Sequence, residues 1–147
     1  ALTVLALDTL RLMIKVRVPV LREYEDERPS APAFFAVSVT IVFLYFPLEI
    51  ALPVLMGMGW VDPLAGELRQ RKSDLYPMLP LVVYSLVMLI VLIYFFGPTF
   101  PVVLAAVLVA PIAIFLESRR LHYIDDDMIL VLVPTFLLAL VLGRLPF

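Results

Sequence analysis

The sequence predicts an all-α fold, a polytopic transmembrane helix bundle of about five helices plus a partial N-terminal one. Three observations carry that expectation. Of the 147 residues, 63% are hydrophobic and the mean hydropathy is +1.06, whereas soluble domains hold roughly 45–50% apolar residues. The apolar residues form runs near the ~20 residues that a helix needs to cross a hydrocarbon core. The charges stand in blocks between those runs, so the formal net charge of −2 conceals strong segregation.

The first stretch, "ALTVLALDTLRLMIK", reads as the last turns of a helix whose beginning is missing. It lacks the basic start, apolar centre and small-residue cleavage site of a signal peptide. The run 33–61 is too long for one simple helix and carries Pro47 and Pro53. Proline is disfavoured in a helix interior and tolerated in a first turn, so the run should split at Pro47 into helices at 33–46 and 48–61. Each would be only ~21 Å long, a thin span or half of a partly re-entrant hairpin. "GPT" at 97–99 is a turn signal and makes 77–96 and 99–116 a second hairpin. The last run, 128–143, ends at Gly143 before Arg144. Together these form one integral membrane domain over residues 1–147.

Charge supports the split. With a hairpin over 33–61, the loops 8–32, 62–76 and 117–127 share one face. They hold every lysine and arginine except Arg144, and every carboxylate except Glu49. Such bias marks a cytoplasmic face, and a single span over 33–61 would move loop 8–32 to the other side. Trp60, Tyr24, Tyr76 and Tyr123 suit an interfacial aromatic belt.

Several chemistries are excluded. The chain has no cysteine and one histidine, His122, so thiol catalysis and multi-histidine metal sites are absent. No P-loop is present. Transport is disfavoured because the helix middles hold almost no ionisable residues.

Three charged stretches remain. In "GWVDPLAGELRQRKSD" (59–74), Asp62 is expected to N-cap a new helix with Pro63 in its first turn. Arg69, Arg71 and Lys72 then either anchor that helix to headgroups or serve a metal-bound, charged substrate, and the residues alone leave both readings open. In "FLESRRLHYIDDDMILVLVP" (115–134), Glu117 closes one apolar helix and Asp125, Asp126 and Asp127 precede the next. A helix N-terminus favours one acid by ~0.3–1 kcal/mol, whereas three invite a cation. Hard divalent ions take carboxylate oxygens, completed by water and substrate phosphates. In the stretch 7–35, Arg11, Lys15 and Arg22 are candidates for phosphate contacts. Ser30 of "RPSAPAFF" is a candidate helix cap, beside amides able to meet an anion. His122 is expected to pack near the interface. Carboxylates from two loops, with basic residues on one face, suit a metal-bound nucleotide meeting a lipid alcohol. Phosphoryl transfer needs mostly positioning and charge neutralisation.

"VDPLAG" after an apolar helix, then "RQRKS", then "LES" and "IDDDMILVLVP", resembles the dolichol/phytol/diacylglycerol kinase family of polytopic membrane enzymes. The charged stretch "ALDTLRLMIKVRVPVLREYEDERPSAPAFF" and the hairpin after it resemble the middle of those chains. The likeness runs in matching order over almost the whole sequence, without the family's N-terminal helices. It implies transfer of a phosphoryl group from CTP, with Mg²⁺, to an isoprenoid alcohol or diacylglycerol at the cytoplasmic face. Carried over by position, Asp62 is the candidate for metal–nucleotide binding. Asp125 and Asp126 are candidates for metal ligation or for the base toward the alcohol, and Glu117 is a candidate for a further metal ligand. Lys72, Ser73, Arg69 and Ser30 are candidates for nucleotide phosphate contact. The sequence departs from the family at Val61, at Asp127, around Gln70 and Asp74, and in "DLYP", where glycines or an asparagine are usual. The partners expected are the lipid alcohol, the nucleotide and membrane lipids, with no nucleic acid and with homo-oligomerisation left open. Two other readings stand beside the kinase: a CTP-dependent lipid cytidylyltransferase and a non-catalytic membrane scaffold or lipid-binding protein.

Overall fold

The structure, a computed structural model, describes residues 1–14, 29–117 and 126–145, excluding the side chains of residues 126 and 127. The described residues form six helices and no strand. They are α1 Leu2–Ile14, α2 Ala31–Tyr45, α3 Leu48–Gln70, α4 Met78–Phe96, α5 Phe100–Glu117 and α6 Asp126–Val141.

Pro47 divides the first long run as expected. The Phe46 N–H still bonds the Val42 carbonyl of α2 at 2.9 Å, and the Pro47 carbonyl accepts the Ile50 and Ala51 amides that open α3. Here the missing N–H of proline costs nothing, because a helix's first amides have no internal partner.

The second expected boundary is corrected. No new helix starts at Asp62; α3 runs through Asp62 and Pro63 to Gln70, 23 residues in all. Pro63 can give no N–H to the Gly59 carbonyl, yet packing carries the helix across the gap. Val54, Met58, Val61, Ala65 and Leu68 are all buried, at spacings of three and four that keep one stripe against the core. Asp62, Glu67 and Arg69 lie off that stripe and are exposed. At 1.5 Å per residue α3 is about 34 Å long, enough to cross a core of about 30 Å. Three helices, α3, α4 and α5, are long and apolar enough to span a membrane, and α2 and α6 are shorter apolar helices.

α3 packs on α4, α4 on α5, α5 on α6, and α6 returns to α3, closing a four-helix bundle. α2 lies outside it, mostly against α6 and only lightly against α3, and α1 touches α2. The main core joins Ile50 and Val54 of α3, Tyr84, Met88 and Leu92 of α4, and Leu138 of α6. α5 contributes the buried alanines Ala105, Ala106, Ala110 and Ala113, small residues that let apolar helices approach closely. Gly57 allows the same between α3 and α4, since a Cβ there would stand 3.1 Å from the Tyr84 ring. A second cluster of Val42, Ala51, Met58, Leu130 and Val131 ties α2 to α3 and α6.

Two buried hydroxyls, Ser38 and Thr135, are satisfied within their own helices. Ser38 Oγ donates to the Phe34 carbonyl at 2.8 Å and Thr135 Oγ1 to the Val131 carbonyl at 2.6 Å, as a medium without water demands. The outer surface is apolar, with Leu86, Ile90 and Tyr94 on α4, Val107 and Phe115 on α5, and Phe136 and Leu140 on α6 exposed. In water such a surface drives association; acyl chains match it.

Candidate functional site

The charged end of the bundle is built on the last turns of α3 and α5 and the first turns of α2 and α6. Glu117 ends α5 and is buried, 7% exposed. A carboxylate taken out of water needs a partner, and Arg69 supplies it from two turns past Asp62. Arg69 Nη2 donates to Glu117 Oε1 at 2.5 Å, Nη1 to the Glu117 carbonyl at 3.5 Å, and Nε to the Ala65 carbonyl at 3.3 Å. The guanidinium also lies 5.6 Å from the centre of the Tyr76 ring, a cation–π distance. An arginine has five N–H donors, so two stay open among the described residues at this half-exposed position.

Asp62 lines a small pocket with Glu117, Tyr84, Val61, Ile114 and Leu130, about 10 Å³ in free volume. That is room for about one water. Two of its lining residues carry a buried oxygen, Glu117 Oε2 and Tyr84 Oη, that meets no hydrogen-bond partner among the described residues. Buried polar atoms are seldom left so. On its other side Asp62 borders a cleft of about 400 Å³ between α2 and α3, together with Ala31, Pro32, Phe35, Met58 and Gly59. The positive end of the α2 dipole therefore faces a carboxylate.

Lys72 and Ser73 form the helix stop. Lys72 takes a left-handed conformation at φ 50°. Its N–H bonds the Arg69 carbonyl at 3.1 Å while the Ser73 N–H bonds the Leu68 carbonyl at 3.0 Å, the paired pattern of a Schellman cap. Ser73 Oγ accepts the Leu75 N–H at 3.3 Å. On the neighbouring turn Arg71 Nε pairs with Glu67 Oε1 at 2.5 Å on the open surface.

Ser30 stands at the N-cap of α2, but its side chain makes no capping bond. The anion that meets the amide there comes from the chain itself. The Ser30 N–H donates to Asp8 Oδ2 at 2.9 Å, and Arg11 Nε lies 3.1 Å from Asp8 Oδ1. Asp8 is 8% exposed and is the one acid in the apolar run that opens the sequence; that isolation was its only signal.

The structure thus brings Asp62, Glu117 and Arg69 together, sets Lys72 and Ser73 at the end of the same helix, and places Ser30 beside the cleft that Asp62 borders. Asp125 lies outside the described residues, as do Lys15, Arg22, Tyr24, His122 and Tyr123, and Asp126 is described only as the first residue of α6. Among the described residues no group of three His, Cys, Asp or Glu could hold a metal. No known protein family, no characterised protein and no solved structure matches the chain.

Proposed function

We propose that this chain is a membrane lipid kinase that transfers a phosphoryl group from CTP to the hydroxyl of an isoprenoid alcohol or a diacylglycerol at a cytoplasmic face. The observation that carries the reading is the meeting of Asp62 of α3 with Glu117 of α5 at one pocket, with Arg69 reaching across between the helices. The order of "VDPLAG", "RKS", "LES" and "IDD", resembling the lipid kinases, supports it as well. The excess of basic residues at this end supports the cytoplasmic placement.

The donor set fits a nucleotide-borne Mg²⁺. Such an ion takes one or two carboxylates and fills its remaining positions with water and phosphate oxygens. Asp62 and Glu117 offer two carboxylates, and Glu117 Oε2 is unpartnered among the described residues; Asp126 opens α6, and Asp125 precedes it in the sequence. When bound, the ion supplies neutralisation of the phosphate charge. Arg69, with its two open donors, and Lys72 hold phosphate oxygens. Asp62, bordering both pocket and cleft, orients the alcohol and accepts its proton; Asp125 and Asp126 are the sequence's candidates for the second carboxylate. The alcohol oxygen bonds to the γ-phosphorus, the bond from that phosphorus to the β-phosphate oxygen breaks, and CDP leaves.

The test is label transfer from radioactive CTP or ATP, with Mg²⁺, to phytol, geranylgeraniol, dolichol or diacylglycerol by the protein in detergent. Labelled lipid with CTP as the better donor is the expected result, and Asp62→Asn should lower turnover by roughly 10²-fold or more, as loss of a positioned proton acceptor does. Pyrophosphate in place of CDP would point to a cytidylyltransferase. Absence of transfer by a folded preparation would point to a non-catalytic protein.

A further inference from the structure

The cleft between α2 and α3 exists because these consecutive helices barely touch. α2 turns its buried residues Ala33, Ser38 and Val42 inward, and its main neighbour is α6. What remains between α2 and α3 is a groove of about 400 Å³, within the ~300–1,000 Å³ of small-molecule sites. Phe35 and Gly59 on its walls are exposed, so the groove opens on the lateral surface.

Its polarity is graded along the bundle. Ala31, Pro32, Asp62 and Pro63 line one end, where the neighbouring Trp60 is 66% exposed, as suits the headgroup level of a bilayer. Phe35, Met58 and Gly59 lie about one turn deeper. Among the described residues Asp62 is the only charged side chain lining the groove. Pro63 withholds an N–H from the Gly59 carbonyl, so a second acceptor lies one turn from the carboxylate. A phosphate headgroup would meet repulsion from that carboxylate; a hydroxyl can donate to either acceptor. Gly59 itself leaves open space, since a Cβ there would meet nothing within 4 Å.

We propose that this groove admits a lipid alcohol sideways from the bilayer, its hydrocarbon chain lying along Phe35, Met58 and Gly59 and its hydroxyl donating to Asp62, with the Gly59 carbonyl as the alternative acceptor one turn deeper. The inference rests on the lipid-alcohol reading for the occupant's identity, and it adds the route of entry and the residue that gauges the chain. Enlarging Gly59 fills the groove from a position where the fold has room, so the protein should tolerate the change while the lipid does not.

The experiment uses the chain in proteoliposomes with a diazirine-bearing geranylgeraniol, and maps the crosslinked peptides. Label is expected on the segments around Phe35 and Met58, displaced by phytol but not by phytane, the corresponding saturated hydrocarbon without the hydroxyl. Gly59→Leu should lower that labelling roughly tenfold, as overfilling a close-fitting site does. Leu86→Trp, on the outward face of α4, should leave it unchanged. Label spread over the outer surface, or displaced equally by phytane, would overturn the proposal, and the unaltered chain decides this alone should the leucine variant misfold. Phytol-sensitive label in the groove without phosphoryl transfer keeps the groove and rejects the kinase. Transfer with label elsewhere does the reverse.

Discussion

The ion pair between Arg69 and Glu117 should be asymmetric, and the asymmetry is measurable. The Glu117 side chain is 4% exposed and that of Arg69 41%. Arg69→Met leaves a buried carboxylate with no cation, in a pocket where Oε2 already lacks a partner among the described residues. Stranding one member of a fully buried pair costs ~3–5 kcal/mol. Arg69 is partly solvated, so screening reduces this, and about 2 kcal/mol is expected. Glu117→Gln keeps the side-chain volume and an acceptor, and it leaves a cation able to turn to water. That change should cost about 1 kcal/mol or less. Thermal unfolding in detergent of the two single variants and the double variant gives both costs and the coupling between the positions. Equal costs, or a larger loss with Glu117→Gln, would refute the assignment of Glu117 as the buried member. Negligible coupling would refute the pairing itself.

Two glycines on α3 should respond in opposite directions. Gly57→Ala gains about 1 kcal/mol of helix propensity, but it drives a methyl into the buried Tyr84 ring at ~1–3 kcal/mol, so its melting temperature should fall. Gly59→Ala gains the propensity without the contact, and its melting temperature should rise. Lys72→Gly relieves a left-handed residue and should stabilise the chain by about 1 kcal/mol; if Lys72 holds phosphate, the same variant raises the KM for CTP, a split that no purely structural lysine shows. Asp8→Ala removes the charged acceptor of the Ser30 amide, worth ~1.5–3 kcal/mol, and hydrogen exchange at that amide should quicken.

The helix order was legible because apolar runs and turn residues report it directly. Pro47 and "GPT" mark real turns, and α2 to α6 begin and end within two or three residues of expectation, apart from the end of α3. That exception arose from weighing one proline above a stripe. Met58, Val61, Ala65 and Leu68 keep helical spacing through Pro63, and the burial of four side chains outweighs one lost hydrogen bond. The carboxylates of the site were visible as charges at the mouths of apolar runs, but their partners were not. Arg69 and Glu117 lie 48 residues apart, and no local pattern could choose Arg69 over Arg71, which pairs along its own helix with Glu67. Asp8 escaped notice because, besides Arg11, the partner it meets is a backbone amide, which every residue but proline carries and no side-chain pattern marks.

The place of α6 has a consequence for the order in which the bundle assembles. During synthesis α2 emerges long before its main neighbour, with residues 46–125 translated between them. Until α6 arrives, Val42, Ala51 and Met58 lack the Leu130 and Val131 that complete their cluster, and in a bilayer lipid must cover them. The α2–α3 hairpin therefore waits as a loosely joined pair, and the closing step is a long-range capture that resembles the slow, non-local contacts of high-contact-order folds. A ribosome stalled before residue 126 would hold a hairpin that still lacks the α6 half of its cluster.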